Sequence, residues 1–156
     1  MVDPHVRQAY PDDAQAIAAM CVVLWPDATT EEHRAEIEHL LKTKMCGTLP
    51  ATVFVVQDRE GRLQGFLQVG LRSHADGCDP AHPVGFVEGW FVYEAFRRRG
   101  LGGALMLAAE EWSHRQGCKE MASDTWSDER NSESVHEALG FEVVDRCVHL
   151  RKSLAE

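Results

Sequence analysis

A chain of 156 residues with 44% hydrophobic and 26% charged residues is the size of one globular domain, read here over residues 1–156. It has no apolar run near the ~20 residues that cross a bilayer, and its net charge of −9 lacks the basic footprint that nucleic acid or an anionic membrane requires. The opening Met-Val-Asp-Pro-His-Val-Arg has neither the basic nor the apolar region of a secretory signal, so a cytoplasmic protein is expected.

His5 to Ala9 reads as a first strand. Pro11-Asp-Asp13 starts a helix, with acids favouring its N-terminus, and Trp25-Pro26 breaks it after Leu24. Thr30-Glu-Glu-His33 opens a second helix with Ile37, Leu40 and Leu41 on its apolar face. Ala51 to Val56 is a β-branched strand, Asp58-Arg-Glu-Gly61 a hairpin turn, and Leu63 to Leu71 the returning strand. A loop, Ser73 to Pro83, precedes a strand from Gly85 to Tyr93. Leu101 to Arg115 repeats apolar residues at helical spacing, Glu120 to Thr125 is a strand, and Ser127 to Leu139 a helix closed by Gly140 as a left-handed cap. Val143 to Leu150 is expected as a last strand. The order β-α-α-β-β-β-α-β-α-β predicts an α/β domain with a single mixed, mostly antiparallel sheet flanked by helices.

The most informative stretch runs from Glu88 to Met106. A strand is followed by Arg97-Arg98-Arg99 and then by Gly100-Leu101-Gly102-Gly103 opening a helix. Glycines without a Cβ let the backbone approach a ligand, and a helix start presents unpaired N–H groups and a positive dipole end. That combination is an anion site, and pyrophosphate is the expected anion. Neither a dinucleotide fingerprint nor a P-loop is present. An acidic chain with one arginine cluster suggests two opposite ligands, a polyanion at the arginines and a cation elsewhere. The five cysteines (Cys21, Cys46, Cys78, Cys118 and Cys147) form no C-x-x-C pair and the eight histidines are dispersed, which reads as reduced thiols and no metal.

Arg97-x-x-Gly100-x-Gly102 after a Phe-Val strand resembles the acetyl-CoA loop of the GCN5-related N-acetyltransferase (GNAT) superfamily. Ser134-Val-His-Glu-Ala-Leu-Gly-Phe141 resembles the last motif of that superfamily. More narrowly, Glu88-Gly-x-Phe-Val92, Glu120-Met-Ala-Ser-Asp-Thr125, Val135-His-x-Ala-Leu-Gly-Phe141, Leu24-Trp-Pro26 and the Gly-Cys-Asp within Asp76 to Asp79 together look like aminoglycoside 6'-N-acetyltransferases. The resemblance covers almost the whole chain. It implies the fold just described, acetyl-CoA as co-substrate, a cationic aminoglycoside as acceptor, antibiotic resistance as the outcome, and a homodimer.

The resemblance also implies roles. Trp90, Phe91 and Val92 would pair their backbone with the pantetheine arm, and Arg97, Arg98, Arg99, Gly100, Leu101, Gly102 and Gly103 would hold the pyrophosphate. Glu88, a carboxylate in an apolar strand and costly there without a cation or water, would bind the substrate ammonium and remove its proton; its plainer reading is an outward-facing strand residue. Asp124 would share that amine, or cap the following helix. Trp25 is a core plug or a platform for a sugar ring, and His74, Asp76, Asp79 and Asp145 would add substrate contacts. Two positions depart from the family pattern. His136 stands where a tyrosine commonly protonates the leaving thiolate, and Glu129 stands where an asparagine commonly lies near the cofactor, with Asn131 the nearest asparagine. Two other readings stay open: a polyamine or protein amine as acceptor, and a non-catalytic acetyl-CoA sensor.

Overall fold

The structure, a computed structural model, describes residues 4–155. They form two compact units, residues 4–124 and 125–155. In the first, β1 (His5–Gln8) passes through a 3-10 turn (Pro11–Asp13) into α1 (Ala14–Leu24), then α2 (Thr30–Thr43), β2 (Met45–Cys46), β3 (Leu49–Gln57), β4 (Leu63–Arg72), β5 (Val84–Val92), a second 3-10 turn (Glu94–Phe96), α3 (Leu101–Arg115) and β6 (Met121–Ser123). The sheet order is β1-β3-β4-β5-β6, with the short β2 added to β3. Its pairs are antiparallel except β5 with β6, which are parallel. The expected mixed, mostly antiparallel sheet is therefore present. The two-residue β2 is an addition that the sequence pattern does not signal.

Local chemistry sets the boundaries. Pro26 excludes the helical conformation from Trp25, whose φ of −131° and ψ of 81° end α1. A capping box starts α2: the Thr29 N–H donates to Glu32 Oε2 at 2.8 Å, and the Glu32 N–H donates to Thr29 Oγ1 at 3.2 Å. At the β3–β4 turn, Asp58 Oδ1 accepts from the N–H groups of Glu60 and Arg62. Arg7 forks Asp13 at 2.7 and 3.0 Å, tying β1 to the start of α1. Burial works to raise the Asp13 pKa, but the Arg7 bonds and the Tyr10 N–H outweigh it and hold the carboxyl below its ordinary value.

Two layers of helix cover the sheet. On one face α1 and α2 bury Ile17, Met20, Cys21, Ile37, Leu40 and Leu41 against Val53, Val55, Phe66 and Phe91. Burial among these groups pushes the Cys21 thiol up to about 12. On the other face α3 packs on β3, β4 and β5 and buries Leu105, Met106, Ala109 and Trp112. The approach of α3 to β5 is close: a Cβ on Gly85 would lie 2.2 Å from Ser113 Oγ.

The second unit holds α4 (Arg130–Ala138). Gly140 takes the left-handed conformation expected of a cap, φ +93°, and the Gly140 and Phe141 N–H groups donate to the Glu137 and His136 carbonyls. The strand expected over Val143 to Leu150 is absent. Residues 141–155 carry no regular secondary structure, and Val148 and Leu150 are 81% and 91% exposed. A strand exists only by pairing with another, and no segment of this chain pairs with this one among the described residues.

Candidate functional site

The site is built on β5. Its residues Val87 and Gly89 face consecutive residues of β4, Val69 and Gln68, so Glu88 is the extra residue of a β-bulge. Strand β6 pairs only with Gly85, Phe86 and Val87. From Glu88 to Val92, β5 has β4 on one side and, among the described residues, no strand on the other. Strand β6 thus ends opposite Val87, one residue before the bulge. A half-strand of this kind offers main-chain groups to an extended ligand.

Beyond β5 the chain turns into α3 with two residues in the left-handed region, Arg98 at φ +64° and Gly100 at φ +78°. Left-handed residues next to ordinary ones turn successive N–H groups towards one point. The N–H groups of residues 98–103 have no acceptor among the described residues; the first one engaged is that of Ala104, which donates to the Gly100 carbonyl at 3.0 Å. Those donors, the α3 dipole and the arginine run fit a pyrophosphate. Trp90 ties this corner to β5, its indole N–H donating to the Gly102 carbonyl at 3.2 Å. A Cβ on Gly102 would come within 3.2 Å of the same indole, so glycine there makes room for tryptophan. Arg97 has a second duty, since its Nε–H donates to the Val92 carbonyl at 2.8 Å and thereby fixes the turn.

Glu88 does not stand alone. Its two carboxylate oxygens accept from Arg72 Nε and Nη2, both at 2.9 Å, in a fork. The Arg72 guanidinium lies 3.5 Å from the centroid of the Phe86 ring. No sequence motif points to Arg72, because its meeting with Glu88 depends on the β4–β5 register. Trp25 is 38% exposed, and its ring packs edge-on to Phe66 and against Gly89, where a Cβ would come within 2.4 Å. His33 Nε2 donates to the Trp25 carbonyl at 3.0 Å and steadies that corner. Trp25, Gly89 and Gln68 therefore share the sheet face that α1 and α2 cover.

The remaining candidates are more exposed. His74 and Asp76 face one another at 3.9 Å on the surface of the 73–83 loop. That loop is anchored by the Asp79 N–H donating to Glu120 Oε1 at 2.8 Å, and by Ala75 and Cys78 packed on Val84, Phe86 and Ala122. Asp124 is exposed and is not the cap of α4, a position taken by Glu129 without a side-chain bond. In the second unit, Glu129, Asn131 and Asp145 are exposed. His136 Nδ1 donates to the Ser132 carbonyl at 2.7 Å, which places the proton of that nitrogen, and its ring meets Phe141 edge-on. Arg146 forks Glu133 at 2.9 and 3.2 Å; these bonds hold the Glu133 carboxyl below its ordinary value. Among the described residues no cluster of three or more His, Cys, Asp or Glu is arranged to hold a metal ion.

Residues 17–141 match the model of the acetyltransferase (GNAT) family. The chain is 38% identical over 151 residues to an aminoglycoside N(6')-acetyltransferase type 1 of Klebsiella aerogenes, covering 97% of each chain. It is 36% identical to the enzyme of the same name from Stenotrophomonas maltophilia, covering 97% of this chain and 94% of that one. Among solved structures it is similar to AAC(6')-Iy in complex with the bisubstrate analogue CoA-S-monomethyl-acetylneamine, with a TM-score of 0.86 and 33% identity over 97% of this chain and 99% of that one. The same protein in complex with CoA gives a TM-score of 0.84 and 34% identity, with the same coverage. The chain belongs to the acetyltransferase (GNAT) family and, within it, is a relative of the aminoglycoside N(6')-acetyltransferases.

Proposed function

We propose that this chain is an acetyl-CoA-dependent N-acetyltransferase that modifies the 6'-amine of aminoglycosides, removing one positive charge and conferring resistance. The observation that carries the proposal is the one-sided half of β5, joined through Trp90 to a corner of unengaged N–H donors and carrying Glu88 at its bulge. Acetyl-CoA supplies an acetyl thioester when bound. The N–H groups of residues 98–103, with the charges of Arg98 and Arg99, hold its pyrophosphate, and the main chain of residues 90–92 pairs with its amide-bearing arm. A donor of that main chain supports the thioester oxygen. Glu88 draws the substrate ammonium and accepts its proton, directly or through water. Trp25 offers a flat face to a sugar ring, and Asp124, His74, Asp76, Asp79 and Asp145 contribute charge and contacts for a polycation. His136 is the candidate proton donor to the departing sulfur, and Glu129 and Asn131 are the candidates beside the cofactor.

The chain acts as one acetyltransferase domain, in the cytoplasm and as a homodimer. In support of the dimer, Val143, Val144, Val148, Leu150 and Leu154 present exposed apolar side chains. No helix of the described residues is long and apolar enough to cross a membrane. The test is CoA release with kanamycin, tobramycin, gentamicin and spermidine, with the acetylated nitrogen located by NMR. Transfer to the 6'-nitrogen is the expected result. Turnover with spermidine alone would move the acceptor to polyamines, and absence of thiol release with every amine would favour a sensor.

A further inference from the structure

We propose that Arg72 is a positioning residue of the acceptor site, holding the Glu88 carboxylate in the orientation that meets the incoming amine. The inference rests on the acetyltransferase reading and goes beyond it, since Arg72 lies in none of the motifs that carry that reading. The geometry is particular. Arg72 stands opposite Val84, and about 13 Å of strand separates Val84 from Glu88. To span that distance the Arg72 side chain runs along the sheet, passes over the Phe86 ring at 3.5 Å and ends in the two 2.9 Å bonds to Glu88. Phe86 is itself buried with Ala75 and Val84. The guanidinium is thus held by a fixed ring on its face and a carboxylate at its edge, a preorganised use of the arginine fork.

Stability does not account for this pair. Its side chains are 44% and 27% exposed, and pairs open to solvent contribute little to folding. The fork instead restricts Glu88, a long side chain on a bulge, to one orientation. Each carboxylate oxygen accepts one bond from Arg72 and keeps a second acceptor site for the amine. Small displacements of a group that takes part in chemistry are costly in rate.

The test is steady-state kinetics of Arg72→Met, which keeps an unbranched stem over Phe86 and loses the fork. Its kcat is expected to fall about 10-fold, with CoA affinity by calorimetry unchanged. Arg72→Lys, with one donor in place of the fork, should recover part of that loss. The decisive comparison uses Glu88→Ala as background: there Arg72→Met should have no further effect, because Arg72 acts through Glu88. An equal 10-fold loss in that background would overturn the inference, as would an unchanged kcat in the single variant. A lower acceptor KM with unchanged kcat would also overturn it, by showing that Arg72 merely competes with the amine. A wild-type chain that acetylates no amine would instead overturn the reading on which the inference rests.

Discussion

Residues 85–87 of β5 are flanked by β4 and β6, whereas residues 88–92 are flanked, among the described residues, by β4 alone. Composition does not distinguish the halves, since both are rich in Val, Phe and Gly. The difference lies in what completes the hydrogen bonding. In the first half another strand does so, and α3 presses against Gly85. In the second, one edge has no strand among the described residues, and the one strand carboxylate of those residues lies at the junction. Substitutions in the first half should therefore be read in stability, and those in the second in kinetics.

The largest expected effect is that of Glu88→Gln, which keeps shape and loses basicity. It should lower kcat and kcat/KM together by about 10²–10³-fold, with little change in Tm. Steady-state rates with one aminoglycoside at fixed ionic strength check this, and wild-type turnover would remove Glu88 from the acceptor site. Next comes Gly85→Val in the closed half. Because a Cβ at this position would lie 2.2 Å from Ser113 Oγ, overpacking should cost ~1–3 kcal/mol, seen as a Tm drop of roughly 5 °C, while the folded fraction binds CoA normally.

Gly102→Val should weaken CoA about 10-fold by calorimetry. The structure gives this a cause besides crowding of the phosphate, because the new side chain would press on Trp90 and disturb the tie between β5 and the loop. Aminoglycoside affinity should be little changed. The smallest effect is a control outside both halves, Asp13→Asn. Since the Asp13 carboxyl titrates below its ordinary value in the folded chain, its contribution is present above the unfolded pKa and is lost as pH falls through the lower folded one. The variant should lose about 1 kcal/mol at neutral pH, and the difference from wild type should shrink in acid. Denaturation at pH 7 and in acid measures this, and kinetics should not move.

Much of this was legible because the signals are local. Trp25-Pro26, Asp58 to Gly61 and Gly140 each act within a few residues, and the structure uses each as expected. The run from Arg97 to Gly103 is likewise local, and it forms a turn into a helix with unengaged donors. What could not be read depends on register. The bulge at Glu88 exists only relative to β4, and Arg72 reaches Glu88 only because Arg72 stands opposite Val84. Strand β6 has three residues where six were expected, because only Met121 to Ser123 pair with β5. The apolar pattern of Val143 to Leu150 signals β structure but names no partner, and this chain offers none among its described residues.

Arg98 has a further consequence, for the choice of solution. A non-glycine residue at φ +64° is conformationally costly, and it stands in the Arg97-Arg98-Arg99 run beside N–H groups that have no acceptor among the described residues. A small multivalent anion that accepts from those donors would stabilise the turn. Phosphate, sulfate or citrate in a buffer should therefore raise the melting temperature by mass action and compete with acetyl-CoA, so that its apparent KM reflects the buffer as much as the protein. Kinetic comparisons of variants therefore require the buffer anion to be held fixed.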